Sequence, residues 1–268
     1  MSWFEAIILG LIQGLTEFLP VSSSGHLIIA KELFGIETHD LSFEVVVHAA
    51  TVLSTIIVFR KYIWELLRGL FKFEYNEQTR YILLILVSMI PIMIVGFFFK
   101  NYVEELFGSG LLVVGLALMA TSFLLILSES LRSRNDGEAQ QSKPVGWKAA
   151  IWMGIAQAVA VIPGLSRSGS TIATGLICGV GKEQVTRFSF LMVLIPVLGE
   201  AFLELVGGGF SASSSAGELQ LLLGFISAFF SGLFACKVMI AIVRKERLKW
   251  FALYCALAGT ACVITNIL

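Results

Sequence analysis

Long apolar blocks separated by short polar loops run through the chain. Six blocks approach the roughly 20 residues that a helix needs to cross a bilayer. They cover residues 43–60, 81–99, 110–129, 186–204, 220–243 and 250–268. The pattern predicts an all-α integral membrane protein with about six transmembrane helices, in a single membrane domain over residues 1–268.

Two further apolar stretches, 3–34 and 147–180, are interrupted in the middle. In each, a helical run of about ten residues meets a proline and a Ser/Gly cluster, and a second short apolar run follows. Broken helices are tolerated at membrane depth only where protein or a watery cavity satisfies the freed backbone groups. We therefore predict two re-entrant helical hairpins whose tips lie near the membrane midplane.

These interrupted stretches belong to an internal repeat. Trp3–Ile28 aligns without gaps on Trp147–Ile172, with nine identical residues in 26 positions. The repeat extends into the apolar blocks, so the halves are approximately 1–129 and 147–268. The copies differ at a few polar positions, where Glu17, Ser23 and His26 stand opposite valine, arginine and serine.

Lysine and arginine predict how the halves are oriented. Loops 60–80, 130–148 and 244–249 are basic, whereas loop 205–219 contains neither residue type. The positive-inside rule places the basic loops in the cytoplasm and loop 205–219 outside. Equivalent loops then lie on opposite sides of the membrane, as an inverted-topology repeat requires.

Composition agrees with a membrane protein and excludes other classes. The chain is 57% hydrophobic and only 14% charged, compared with about 25% charged residues in soluble domains. Its formal net charge is zero, so nothing indicates a nucleic-acid partner. The four cysteines lie within apolar runs and lack metal-binding spacing.

In the first hairpin, Gln13 and Glu17 are four residues apart and share one helix face. Pro20 ends that helix. The next helix begins with Ser22, Ser23, Ser24 and Gly25 as its cap and first turn, and with His26 just inside.

In the second hairpin, Pro163 ends the first arm and Ser166-Arg167-Ser168-Gly169-Ser170-Thr171 opens the second. A helix N-terminus presents free N–H groups and a partial positive charge that favour anions. Two such ends, an arginine and several hydroxyls therefore predict a site for phosphate or diphosphate at membrane depth.

The polar residues of the first copy exceed what binding requires. The acid Glu17, the hydroxyl of Ser23 and the imidazole of His26 resemble an activated nucleophile and its base. A purely capping or orienting role for His26 stays open. Glu44 and His48 share a helix face and align with Ser189 and Val193, so the pair either lines the same cavity or is structural.

At these motifs the chain resembles the undecaprenyl-diphosphate phosphatase family of the bacitracin-resistance type. The first signature stands as Gln13 to Glu17 followed by FLPVSSSGH, and the second as Pro163 to Thr171. The resemblance covers the whole chain. It implies hydrolysis of undecaprenyl diphosphate to the monophosphate, which recycles the lipid carrier for peptidoglycan synthesis, at the outer face of the bacterial cytoplasmic membrane.

The resemblance also implies roles for single residues. Ser23 matches the nucleophile, Glu17 the essential acid, and His26 a histidine that acts as nucleophile, base or helper. Arg167 matches the phosphate-binding arginine. Residues around it and around Ser23 would bind the diphosphate, namely Ser22, Ser24, Gly25, Ser166, Ser168 and Thr171.

A divalent cation, Mg²⁺ or Ca²⁺, is implied as a cofactor, with Glu17 and Gln13 as its candidate ligands. Many family members carry glutamate where this chain has Gln13, so one metal carboxylate is lost. The partners implied are the polyprenyl diphosphate and membrane lipids, and whether the protein forms a homodimer stays open. Attack by water, in place of Ser23 or His26, also stays open.

A secondary transporter or flippase for a phosphorylated lipid or anion is the main rival interpretation. Broken helices that meet at the midplane of an inverted repeat are typical of transporters. Such a protein would need Arg167 and the helix ends, but it would not need Ser23 beside Glu17.

Overall fold

The computed structural model describes residues 1–36, 42–99, 102, 105, 106, 110–132, 143–206, 217–245 and 248–267, and no strand occurs among them. The first half folds into α1 (Trp3–Phe18), α2 (Ser23–Phe34), α3 (Ser42–Leu70), α4 (Glu77–Phe98) and α5 (Gly110–Arg132). The second half folds into α6 (Trp147–Val159), α7 (Arg167–Ile177), α8 (Lys182–Met192), α9 (Leu194–Val206), α10 (Glu218–Lys245) and α11 (Lys249–Ile267). Most of the predicted outer loop 205–219, together with parts of basic loops 130–148 and 244–249, lies outside the described residues.

Among the described residues, α3, α4, α5, α10 and α11 are the helices long and apolar enough to cross a membrane. Many of their exposed side chains are large and apolar, as lipid contact requires. On α4, for example, Leu86, Ile90, Met93 and Phe97 form one exposed stripe, whereas Ser88 is fully buried. The chain is therefore a multi-pass, all-helical membrane protein, as predicted.

The apolar run over 186–204 does not form the single helix that we predicted. The chain forms α8 and α9 there, with a break at Val193. Pro196 lacks the N–H that would bond to the carbonyl of Met192, which favours a break at this turn. Val193 also lines an internal cavity, where freed backbone groups are tolerated.

The two interrupted stretches each form a pair of short helices, as predicted. α1 stops at Phe18 because Leu19 precedes a proline and is extended, with φ −75° and ψ 145°. α6 ends before the turn that contains Gly164. Gly164 has φ +90°, and a Cβ there would meet Val114 Cα at 2.7 Å, so this turn requires glycine.

The short helices pack between the long ones. α1 lies along α10, and α6 lies along α4. α5 and α11 cross closely at Gly115 and Gly259, which are separated by the repeat offset of 144 residues. A Cβ on Gly115 would meet the Gly259 carbonyl oxygen at 2.8 Å, and one on Gly259 would meet the Gly115 oxygen at 2.7 Å. The two contacts are therefore reciprocal.

Candidate active site

The carboxylate of Glu17 joins the two halves of the chain. Its Oε2 atom accepts hydrogen bonds from the Ser23 hydroxyl at 2.5 Å and from Gln13 Nε2 at 2.9 Å. Its Oε1 atom forms an ion pair with Arg167, which begins α7. Glu17, Ser23 and Arg167 thus meet at one point, although Arg167 lies 150 positions away in sequence.

The N-termini of α2 and α7 have matching caps. The Ser22 hydroxyl accepts a hydrogen bond from Gly25 N at 3.2 Å, and the Ser166 hydroxyl accepts one from Gly169 N at 3.0 Å. A Cβ on Gly25 would lie 3.0 Å from Gly164 Cα, so the α2 cap lies against the turn that precedes α7. The free N–H groups of both first turns therefore favour an anion beside the Arg167 guanidinium.

The backbone at Ser22 is unusual. Its φ is +70° and its ψ is 101°, which a residue with a Cβ rarely adopts. Non-glycine residues with positive φ cost free energy and often lie at functional sites. This conformation turns the chain sharply between Val21 and Ser23, and Ser23 lies within 2.5 Å of Glu17.

A partly open pocket, which encloses about 340 Å³ when its solvent-open part is included, lies beside the carboxylate and is called the cavity below. α1, α3, α7, α8 and the α8–α9 break contribute its walls. The lining residues are Glu17, Phe18, Thr51, Val52, Thr55, Arg167, Ser168, Ser189, Phe190 and Val193. The cavity therefore combines one anionic group, one cation, several hydroxyls and an apolar wall.

Several hydroxyls predicted to bind the diphosphate are engaged with the protein. Ser168 donates to the Leu19 carbonyl at 3.0 Å, and Ser24 lies 3.3 Å from the Ser22 hydroxyl. Thr171 donates to the Arg167 carbonyl at 2.9 Å and lies 2.6 Å from the Ser189 hydroxyl. These contacts hold the two helix ends in place, and Ser168 is the one of these three that also lines the cavity.

His26 is not oriented toward Glu17. Its Nδ1 atom lies 2.7 Å from the Ser22 carbonyl, and its Nε2 atom lies 2.6 Å from the Tyr254 hydroxyl. The two rings stack with an interplanar angle of 12°. Tyr254 was missed in the sequence because it lies 228 positions away on an apolar helix, where no local pattern identifies it.

The structure places His48 beside the site, a position that the sequence left open. Its Nε2 atom lies 3.6 Å from Glu17 Oε2. Thr51 and Thr55 follow at helical spacing and line the cavity, so this face of α3 could have been identified from its polar residues. Glu44 instead forms an ion pair with Lys31, away from the carboxylate of Glu17.

Few side chains that could bind a metal ion lie near Glu17. Within the described part of the chain, no group of three His, Cys, Asp or Glu side chains is placed to hold a metal ion. Gln13 Oε1, however, is buried without a hydrogen-bond partner. One carboxylate and one amide oxygen fit Mg²⁺ only if substrate phosphates and water complete its shell, which is how Mg²⁺ is often bound.

The chain is similar to known proteins over nearly its whole length. The model of a family described as "Bacitracin resistance protein BacA" matches residues 6–261. A protein named undecaprenyl-diphosphatase from Bacteroides thetaiotaomicron is 53% identical over 270 residues, and the match covers 100% of both chains. Proteins with the same name from Bacteroides fragilis and Halothermothrix orenii are 54% and 39% identical, over 99% and 98% of each chain.

Proposed function

The chain belongs to the bacitracin resistance protein BacA family, and we propose that it hydrolyses undecaprenyl diphosphate to undecaprenyl phosphate and phosphate. This reaction returns the lipid carrier to cell-wall synthesis and gives tolerance to bacitracin. The observation that supports it most strongly is the contact of Ser23 and Arg167 with the two oxygens of one carboxylate, Glu17.

In the proposed mechanism, Arg167 and the ends of α2 and α7 hold the diphosphate while the prenyl chain stays in lipid. Ser23 Oγ attacks the terminal phosphorus and gives its proton to Glu17, which passes that proton to the departing prenyl phosphate. The new P–O bond makes a phosphoserine as the bond to the prenyl phosphate breaks. Arg167 stabilises the charge of the transferring phosphoryl group.

Water completes the cycle. It attacks the phosphoserine and gives one proton to Glu17, and that proton returns to Ser23 Oγ as phosphate leaves. The hydrogen bond of 2.5 Å between Ser23 and Glu17 supports this assignment. Attack by His26 is the less favoured route, because both of its ring nitrogens face other partners.

The proposal retains a divalent cation, Mg²⁺ or Ca²⁺, held by Glu17 and Gln13 together with the diphosphate. The cation would neutralise part of the negative charge that the diphosphate brings into the membrane. The unpartnered Oε1 atom of Gln13 supports this part of the proposal.

The proposed architecture is an inverted-topology repeat, with α1–α2 and α6–α7 as re-entrant hairpins. The reciprocal contact of Gly115 and Gly259 supports a two-fold axis between the halves, since their offset equals that of the repeat. The packing of α1 on α10 and of α6 on α4 supports it as well. The broken segment α8–α9 would be the second-half counterpart of the first span.

We place the protein in the bacterial cytoplasmic membrane, with the site open to the outer face. The basic loops support this orientation, because it leaves both ends of the first hairpin outside. The proposed partners are the polyprenyl diphosphate and the surrounding lipids. A homodimer stays a prediction.

The experiment that tests the function measures phosphate release from undecaprenyl diphosphate by the purified protein in detergent, with and without a chelator. We expect release by the parent and loss of release in Ser23→Ala, while the substrate still binds. Binding without release by the parent would instead favour the transporter or flippase interpretation. Ser130→Ala is a matched control, because Ser130 is an exposed serine on α5 that bonds its own helix.

A further inference from the structure

We propose that Tyr254 is a positioning residue for the reaction above, which acts through His26 and holds the turn that carries Ser23. The inference rests on the proposed function, but its structural part can be tested separately. It assigns a role to α11, which lines no part of the cavity.

The hydrogen-bond partners of the His26 ring determine which of its nitrogens carries a proton. The Ser22 carbonyl can only accept, so His26 Nδ1 carries a proton and donates to it across 2.7 Å. In the neutral imidazole, Nε2 is then an acceptor, and the Tyr254 hydroxyl donates to it across 2.6 Å. The rings of His26 and Tyr254 also stack, with 5.6 Å between their centroids, and this contact helps to keep the His26 ring in place.

His26 in turn holds Ser22. The Ser22 carbonyl accepts from the His26 backbone N–H at 3.2 Å as well as from Nδ1. Ser22 has the unfavourable φ of +70°, so its conformation persists only while neighbouring contacts maintain it. The next residue is Ser23, whose hydroxyl must stay 2.5 Å from Glu17.

α11 supports this turn at a second point. The thiol of Cys255, adjacent to Tyr254, lies 3.5 Å from the Pro20 carbonyl. Cys255 also packs in a buried cluster with Val21. The turn between α1 and α2 is therefore held from α11 on one side and meets Glu17 and Arg167 on the other.

This arrangement assigns different tasks to the two candidate bases. Glu17 is placed to take the Ser23 proton, whereas both nitrogens of His26 are committed to Ser22 and Tyr254. Loss of the Tyr254 hydroxyl should loosen His26 and misplace Ser23, and small misplacements of a reacting group reduce rate. The affinity for substrate should change little, because neither ring lines the cavity and Arg167 and the end of α7 still hold the diphosphate.

The first test is a double-mutant cycle of phosphate release from undecaprenyl diphosphate. Tyr254→Phe keeps the stacked ring and removes one hydroxyl, so we expect kcat to fall about tenfold with KM within about twofold. In the His26→Ala background, the same change should have no further effect, since Tyr254 acts through His26. Tyr75→Phe is the matched control, because Tyr75 is 70% exposed on a loop.

The second test needs no activity. The protein has three histidines, so nitrogen-15 spectra of labelled protein can be assigned to His26 by comparison with His26→Ala. Tyr254→Phe should shift the Nε2 resonance of His26 and leave the other two histidines unchanged. Gel filtration and thermal unfolding verify that each variant is folded.

Two results would overturn the inference. One is a Tyr254→Phe variant that matches Tyr75→Phe in kcat and in the His26 resonance. The other is a double variant in which the fold-losses in kcat of Tyr254→Phe and His26→Ala multiply, since Tyr254 would then act independently of His26. A parent protein that releases no phosphate would contradict the proposed function, and the His26 resonance would still test the contact with Tyr254.

Discussion

Ser23 donates its hydroxyl hydrogen to Glu17 across 2.5 Å, and the other oxygen of that carboxylate pairs with Arg167 from the opposite half of the chain. A hydroxyl and a guanidinium thus share one carboxylate, the proposed base, at the wall of a cavity. Such residues act as a unit, and the effects of changing them are expected to be non-additive.

Ser23→Ala and Glu17→Gln should each lower kcat by roughly 10³-fold or more, because either change removes the activated nucleophile. The double variant should be no slower than the slower single variant. Steady-state phosphate release measures this, and radiolabelled terminal phosphate should become attached to the parent protein but not to Ser23→Ala. If the fold-losses in kcat of the two single variants multiply in the double variant, the residues work independently and the proposed mechanism is wrong.

Arg167→Lys should lower kcat about 10²-fold, although the positive charge is kept. Lysine lacks the planar fork that binds phosphate through two parallel hydrogen bonds. Removal of one donor to a transition-state oxyanion typically costs about 10²–10³-fold. Arg187→Lys is the control, since Arg187 pairs with Glu183 on its own helix and stacks on Tyr62. Equal rates for the two lysine variants would contradict a role for the guanidinium.

Gln13→Glu should make the rate depend more strongly on divalent cation. The change places a second carboxylate next to Glu17, where Gln13 Nε2 now donates across 2.9 Å. Two adjacent carboxylates repel each other without a cation and bind one more tightly with it. Phosphate release during a Mg²⁺ titration should therefore show a lower half-saturating concentration than in the parent. An unchanged titration would place the cation elsewhere.

Gly115→Ala should lower the free energy of unfolding by about 1–3 kcal/mol, since its methyl group would meet the Gly259 backbone oxygen at 2.8 Å. Gly96→Ala makes the same change on α4, where nothing lies within 4 Å of the new Cβ. Thermal unfolding in detergent should therefore show a lower midpoint for Gly115→Ala alone. Equal midpoints would mean that α5 and α11 do not cross closely at this pair.

Cysteine labelling in intact cells tests the proposed topology. We expect an impermeant maleimide to label Glu32→Cys, near the end of α2 that the proposal places outside, without permeabilisation. Tyr75→Cys, in a basic loop, should be labelled only after permeabilisation. Both positions are exposed, so accessibility within the protein does not separate them. Labelling of Tyr75→Cys in intact cells would reverse the orientation.

The sequence was most informative where a local rule applies. Caps and prolines are local, so the breaks after Phe18 and before Arg167 could be predicted, and the caps at Ser22 and Ser166 both form. The run over 186–204 was misinterpreted because hydropathy does not report a break that faces a cavity. The repeat predicted that the two helix ends approach each other, and the structure links Ser23 and Arg167 through the carboxylate of Glu17, a link that the sequence did not predict.

The amino-acid sequence alone determined the membrane class, the internal repeat and the polar residues of the two hairpins, because hydropathy and local backbone preferences act over a few residues. Folding decided which side chains each ionisable group meets. His48 approaches Glu17 from α3, and Tyr254 holds His26 from α11. Such pairings depend on how distant helices pack, since ion pairs and hydrogen bonds need polar atoms within about 4 Å of each other, and no spacing along the chain encodes that proximity.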